Sequence, residues 1–284
     1  MNSGGFKMSV VINTNYAAVL ARKNLDGVQK EMDKSVERLS SGRRINNAAD
    51  DAAGSAIAGR MESQIRGLTM GIRHAKDGQS LVGTVEGAMQ EVNKILQRMR
   101  ELAVQAASGI ASTTDKDYLN LEMTNLIHEV KAIGLNTKFN DNQVLQGGQF
   151  TFFTDIDVAG TAITTVTAAI TLQRLNLMTA VVSIGGGESA AGIAQVLTAI
   201  DKALAIVDNR RAALGAVSNR FDHIIDNLQN VIMNTVSSQS RIVDADFSIE
   251  TTNLTRNTVL QQAATSMLAQ ANAQKNSILS LIQQ

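Results

Sequence analysis

Not one proline occurs in 284 residues. Ordinary usage of about 5% would place roughly 14 there. An interior proline removes a helical donor and clashes with the preceding turn, at about 3 kcal/mol. A chain without any can sustain helices far longer than usual. Its apolar spacing uses that freedom. Ala18, Ala21, Leu25, Val28, Met32 and Leu39 follow alternating steps of three and four, with Ser35 the one polar member. Val85, Met89, Val92, Leu96, Met99, Ala103 and Ala106 repeat the pattern without a break, and Leu119, Met123, Leu126, Val130 and Ile133 carry it on. A fourth run goes from Ile193 through Leu197, Ile200, Leu204 and Val207 to Leu214, Phe221, Ile225, Leu228, Ile232 and Ile242. A period near 3.5 is the seam of helices packed side by side at a shallow angle. The predicted fold is mainly α: an elongated antiparallel helical bundle or coiled-coil rod built from both chain ends, with a small β insert.

Local signals divide these helices. Gly42 suits the left-handed C-cap of a first helix. Asn47 is placed to cap the second, with Asp50 and Asp51 in its first turn; a helix from Asn47 to Ala107 would span about 90 Å. The run from Ser112 to Asp115 is a turn, with Asp115 as the next cap. From Phe139 to Gly187 the character changes. Thr151 to Phe153 and Ile163 to Leu172 read as strands joined at Gly160 and bounded by Gly147, Gly148 and Gly185 to Gly187. The segments expected are 1–46, 47–146, 147–189 (the β-rich insert), 190–242 and 243–284.

Composition excludes several classes. Lys and Arg number 26 and Asp and Glu 26, which leaves no basic excess for a nucleic acid. No stretch approaches 18 consecutive apolar residues, so membrane insertion is not expected. The apolar patch from Met8 to Ile12 is too short for a cleavable signal peptide, so an exported chain would use another route. Without cysteine there is no disulfide, thiolate metal site or Cys nucleophile. His223 and Asp226 lie one helical turn apart, but a structural metal site wants four ligands. Asp244 and Asp246 resemble a metal-binding pair, yet sit where a helix start or linker is favoured. Gly185 to Gly187 lack the downstream Lys-Ser/Thr of a phosphate loop. No catalytic, cofactor or metal site is assigned. Met61, Met89, Met99 and Met123 fall at seam spacing and read as core filler.

The chain ends are the unusual feature. No charge lies between Lys7 and Arg22, and only Lys275 after Arg256. A helix with little charge on any face buries more than one of them. Such ends suit a subunit that buries them on polymerisation better than a coiled-coil adaptor with charged ends.

At this point the residues resemble bacterial flagellins. INTN stands at Ile12 to Asn15, RLSSG at Arg38 to Gly42, RIN at Arg44 to Asn46 and DDAAG at Asp50 to Gly54. QIRGL follows at Gln64, DGQSL at Asp77 and LQRMRELAVQAA at Leu96 to Ala107. In the C-terminal half, LGAV begins at Leu214, NRFD at Asn219, SRIVDADF at Ser240, LQQAATSMLAQAN at Leu260 and ILSLI at Ile278. The resemblance covers roughly residues 8 to 150 and 190 to 284. Two departures stand out: the extreme C-terminal stretch lacks the usual proline, and Asp141 stands where glycine is common.

The resemblance implies a filament subunit whose two ends form an inner tube and a surrounding rod, joined by a spoke at Arg38, Gly42, Asn46 and Asp50. Inner-tube packing would fall to Leu20, Leu25, Val28, Leu260, Ala264, Met267, Leu268, Ile278, Leu279, Leu281 and Ile282. It implies a homopolymer that is extracellular, with the flagellar export apparatus, a chaperone on the C-terminal helix, the filament cap and hook-filament junction proteins as partners. It also implies contact with host Toll-like receptor 5 through Gln97, Arg98, Leu102 and Glu122. A hook-filament junction protein is the alternative within the same organelle.

Overall fold

The computed structural model describes residues 14–147, 149–153, 162–166, 183–185 and 189–282, with the side chains of 149, 162–166 and 275–282 outside the description. Five helices dominate: α1 (Tyr16–Ser41), α2 (Ala52–Ala106), α3 (Thr113–Asn136), α4 (Ala190–Val243) and α5 (Phe247–Ile282). Two hairpins lie between α3 and α4. The first joins β1 (Lys138–Phe139) to β2 (Asn142–Gln143); the second joins β3 (Gln149–Phe153) to β4 (Ala162–Val166), with Gln149 opposite Val166 and Phe153 opposite Ala162. The first turns through Asn140 and Asp141, both at positive φ (48° and 62°), the conformation a two-residue hairpin loop demands. Residues 167–172 of the expected second strand, and Gly160, fall outside the described residues.

The chain forms two compact units, one of residues 1–62 and 235–284, the other of 63–234. In the second, α2, α3 and α4 enclose one apolar core. The seven seam residues of α2 from Val85 to Ala106 are all fully buried. Met123 and Val130 meet them from α3, and Ile193, Ile200, Val207, Leu214 and Phe221 from α4. Phe152 of β3 stands edge-on to Phe221, with ring centroids 5.9 Å apart, so the insert is held to the bundle by an aromatic contact. Ile184 is also buried, and its N–H donates to Asn120 Oδ1 at 3.1 Å. By length and averaged composition an 18-residue window of α4 could cross a membrane. Counting consecutive apolar residues misses this window because Gln195, Asp201 and Lys202 interrupt it. Its apolar face, Ile193, Val196, Ile200, Ala203 and Val207, is the one packed into the core.

In the first unit α1 and α5 pair antiparallel: Asn15 Nδ2 donates to Ala271 O at 3.1 Å, and Gln261 Nε2 to Gln29 Oε1 at 2.7 Å. Ala18, Ala21, Leu25, Val28, Met32 and Leu39 are all half-buried, and Ser35 is the one buried member of that seam.

Two helix ends depart from the sequence reading. α2 starts at Ala52, not Asn47, because the Asp50 carboxylate claims the N–H groups ahead of it and the Asp51 carboxylate caps its first turn. Asp50 Oδ2 accepts from Asn46 N (3.2 Å) and Asn47 N (3.1 Å), and Asp51 Oδ1 accepts from Gly54 N at 2.9 Å. Ser112, not Asp115, caps α3; Asp115 closes the reciprocal capping box by accepting from Ser112 N. Asp246 caps α5, accepting from Ser248 N at 2.8 Å. Gly42 ends α1 at φ 68°, as its type suggested.

Candidate functional site

Three groups of side chains bear on function. The first lies on the paired terminal helices. Leu25, Val28, Ala264 and Leu268 are half-buried between them, whereas Leu20 (46% exposed), Leu260 (45%) and Met267 (64%) face outward. Tyr16, Val19, Val36, Phe247, Ile249 and Val259 are exposed with them, residues for which the seam pattern gave no signal. Together they leave a large apolar surface exposed on the two helices. The side chains of Ile278, Leu279, Leu281 and Ile282 lie outside the described residues.

The second group is the junction where α1 ends. Gly42 O accepts from Ala245 N at 3.0 Å and Val243 O from Arg44 N at 2.6 Å, while the Arg44 guanidinium donates to Ile242 O. Arg38 Nη1 donates to Glu250 Oε1 at 3.0 Å, and the Glu250 side chain is only 7% exposed. Among the described residues, Glu250 Oε2 and Asn46 Nδ2 are buried without a partner. The Asp50 carboxyl is held below its ordinary value, first by the Asn47 N–H, then by that of Asn46, with Lys34 and Arg38 adding attraction and burial opposing. Arg38, Gly42, Asn46 and Asp50 therefore gather with Glu250, which sequence reasoning missed. Nothing local in FSIE announces a partner 212 positions away.

The third group is on α2 and α3. Arg98 Nε donates to Glu122 Oε1 at 2.9 Å and its Nη1 to Glu101 Oε2 at 3.1 Å. These bonds, that of Glu122 foremost, raise the guanidinium above its ordinary value. Gln97 donates to Asn93 Oδ1 at 2.7 Å. Leu102 is fully buried and belongs to the apolar core, one helical turn along α2 from Arg98. His223 and Asp226 are exposed on α4, and no group of three metal-binding side chains occurs among the described residues.

Comparison with known proteins gives these surfaces a setting. The bacterial flagellin N-terminal helical region matches residues 12–149, and the bacterial flagellin C-terminal helical region matches 197–282. A flagellin of Halalkalibacterium halodurans is 39% identical over 274 residues, covering 96% of this chain and all of that one. One from Xenorhabdus nematophila is 38% identical, covering 97% of this chain and all of that one. A solved structure from Vibrio parahaemolyticus, assigned to the flagellar hook-associated class, superposes with a TM-score of 0.61 over 69% of this chain and all of that one; at 12% identity the likeness is one of fold. Fold and matches define a structural protein of the bacterial flagellum. The chain belongs to the bacterial flagellin family, and it is a structural subunit of the extracellular flagellar filament.

Proposed function

We propose that the subunit polymerises through the outward faces of α1 and α5, and that these helices order as neighbouring subunits cover them. One observation carries this reading. Among the described side chains of 16–34 and 251–274 none is buried, while Tyr16, Val19, Leu20, Val259 and Met267 are 46 to 77% exposed. Ordering a residue costs about 1–2 kcal/mol of backbone entropy, and burial in the isolated chain offsets little of it here. Contacts with further copies supply the remainder. The same sparing use of charge suits export as an unfolded chain by the flagellar apparatus and shielding of α5 by a chaperone, with the filament cap and hook-filament junction proteins as later partners. The role is structural, not enzymatic.

Removing residues 257–284 tests it. The shortened chain is expected to remain a soluble monomer in which 63–234 keep their unfolding transition, and to add no length to filament seeds. Normal polymerisation of that chain, seen by electron microscopy, would refute the reading.

A second surface is proposed for recognition by host Toll-like receptor 5. Arg98 and Glu122 are half exposed and bonded to each other across two helices, and an Arg held in a fixed pose is a frequent interface anchor.

A further inference from the structure

The chain has 11 methionines and neither cysteine nor tryptophan. An oxidant that transfers oxygen to sulfur therefore has only thioethers to attack, and accessibility decides which of them react. Eight of the methionines lie among the described side chains, and the fold sorts them. Met89, Met99 and Met123 are fully buried in the core of α2, α3 and α4, and Met32 and Met61 are half-buried. Met70 of α2 and Met233 of α4 are 43% and 62% exposed. Gln79 bonds Asp222 across these antiparallel helices, and that register sets Met70 level with Val231. Both thioethers thus stand at one end of the 63–234 unit, away from Arg98 and Glu122 where α3 packs. Met267 is exposed too, on α5 of the other unit. Core packing accounts for methionine at 89, 99 and 123. It does not account for methionine at 70 or 233.

We propose that Met70 and Met233 are a reversible oxidant-quenching site of the rod, with hydrogen peroxide as the co-substrate. A lone pair on Sδ attacks one peroxide oxygen, the O–O bond breaks, and sulfur keeps that oxygen as its sulfoxide. The leaving hydroxide takes the proton of the transferred hydroxyl and departs as water. Sulfur is oxidised by two electrons and the peroxide is reduced by two. What the oxidation costs depends on where the sulfur sits. A sulfoxide oxygen is a strong acceptor that needs hydrogen bonds. Water supplies them at 70 and 233, whereas at 89, 99 or 123 the oxygen would be buried without a donor. The exposed pair therefore takes up oxygen with both helices intact. It also stays within reach of a methionine sulfoxide reductase, which returns the thioether at the expense of a thiol reductant and readies the site for another round.

Full-length monomer treated with hydrogen peroxide at neutral pH, then digested and read by peptide mass spectrometry, tests this. Met70 and Met233 are expected to form sulfoxide about tenfold or more faster than Met89, Met99 and Met123, and unfolding in urea to bring all five to one rate. With both sites oxidised, the thermal midpoint is expected to move by less than about 2 °C. A mixture of the two epimer-specific methionine sulfoxide reductases with dithiothreitol is expected to restore both thioethers. The double variant Met70→Leu with Met233→Leu is expected to keep the parental midpoint and to lose the fast sulfoxides at those positions. Equal rates for the five methionines in the folded monomer would overturn the site. A midpoint that collapses on oxidation of the parent but holds in the double variant would show the two thioethers to be structural, and would overturn it as well. Sulfoxides at 70 and 233 that the reductases leave in place would overturn its reversibility.

Discussion

Asn93 Nδ2 donates to Asp208 Oδ1 at 2.8 Å across α2 and α4, from a side chain otherwise sunk in the seam. It is one rung of a ladder. Gln79 bonds Asp222, Glu86 bonds Arg211 and Arg100 bonds Asp201. On α2 these positions recur every seven residues. On α4 the partners 222, 208 and 201 descend in matching steps, as antiparallel helices require. The remaining heptad position is Gly215, which offers no side chain, so Glu86 reaches one turn along to Arg211. Apolar seams tolerate sliding by a heptad; polar rungs make a slip leave groups unpaired. Replacing Asn93 by Leu is therefore expected to cost little stability or even add some, while Asn93→Asp, which sets two carboxylates together, costs about 1–3 kcal/mol. Urea unfolding of the monomer measures both.

Leu96 is fully buried in the middle of the same seam. Leu96→Asp places an unpaired carboxylate there and is expected to cost several kcal/mol. An unchanged thermal midpoint would void the register assigned to α2.

Glycines of α2 separate steric demand from mere tolerance. A Cβ on Gly78 would meet Phe221 Cζ at 2.5 Å, on a ring that also supports Phe152. Gly83 and Gly87 have open space. Gly78→Ala is expected to destabilise by about 1–3 kcal/mol through displacement of the ring. Gly83→Ala should stabilise by up to about 1 kcal/mol, since alanine restricts the unfolded chain and favours the helix. Opposite signs in one calorimetric series are the expected result.

Acid sensitivity has an identifiable source in the α3 cap. The Ser112 hydroxyl, and secondarily its backbone N–H, hold the Asp115 carboxyl below its ordinary value. A value depressed by folding means the stabilisation is complete above the unfolded pKa, near 4. It is lost as pH falls through the lower, folded value. Asp50 contributes in the same direction through the N–H groups of Asn47 and Asn46. Asp115→Asn and Asp50→Asn are each expected to flatten the acid limb of the stability profile below about pH 4, leaving the profile's shape near neutrality unchanged. Denaturation midpoints taken across pH 2–7 check it.

What could be read in advance follows from the range of each interaction. A 3.5-residue period is a local property, so the seven α2 seam residues from Val85 to Ala106 were legible from their spacing, whereas Ala75, Val82 and Leu102 of the same core were not part of that series. Helix ends were legible only in part, because Asn47, Asp50 and Asp51, or Ser112 and Asp115, are competing cap residues within one turn. Which of them wins depends on backbone directions that the seam does not encode. The Arg38–Glu250 pair joins residues 212 apart and left no periodic trace. The ladder did leave one, in the sevenfold recurrence of Gln79, Glu86, Asn93 and Arg100, but polar residues on a long helix are ordinarily solvated and the recurrence passes for surface.

Receptor recognition and folding can be separated at a single site because neighbouring residues differ in burial. Arg98 and Glu122 are about half exposed, and an exposed ion pair contributes about 0–1 kcal/mol. Arg98→Ala and Glu122→Ala should leave the monomer's unfolding midpoint nearly unchanged. Leu102 is fully buried one helical turn from Arg98, and Leu102→Ala is expected to cost about 2–5 kcal/mol as a core truncation. If Toll-like receptor 5 reads the exposed pair, a reporter assay on monomer will lose signal with either surface variant at parental stability. Leu102→Ala should then lose signal only in proportion to unfolding, with the loss recovered on cooling. Full signalling by both Arg98→Ala and Glu122→Ala would remove this surface from the receptor contact, and the filament role would stand.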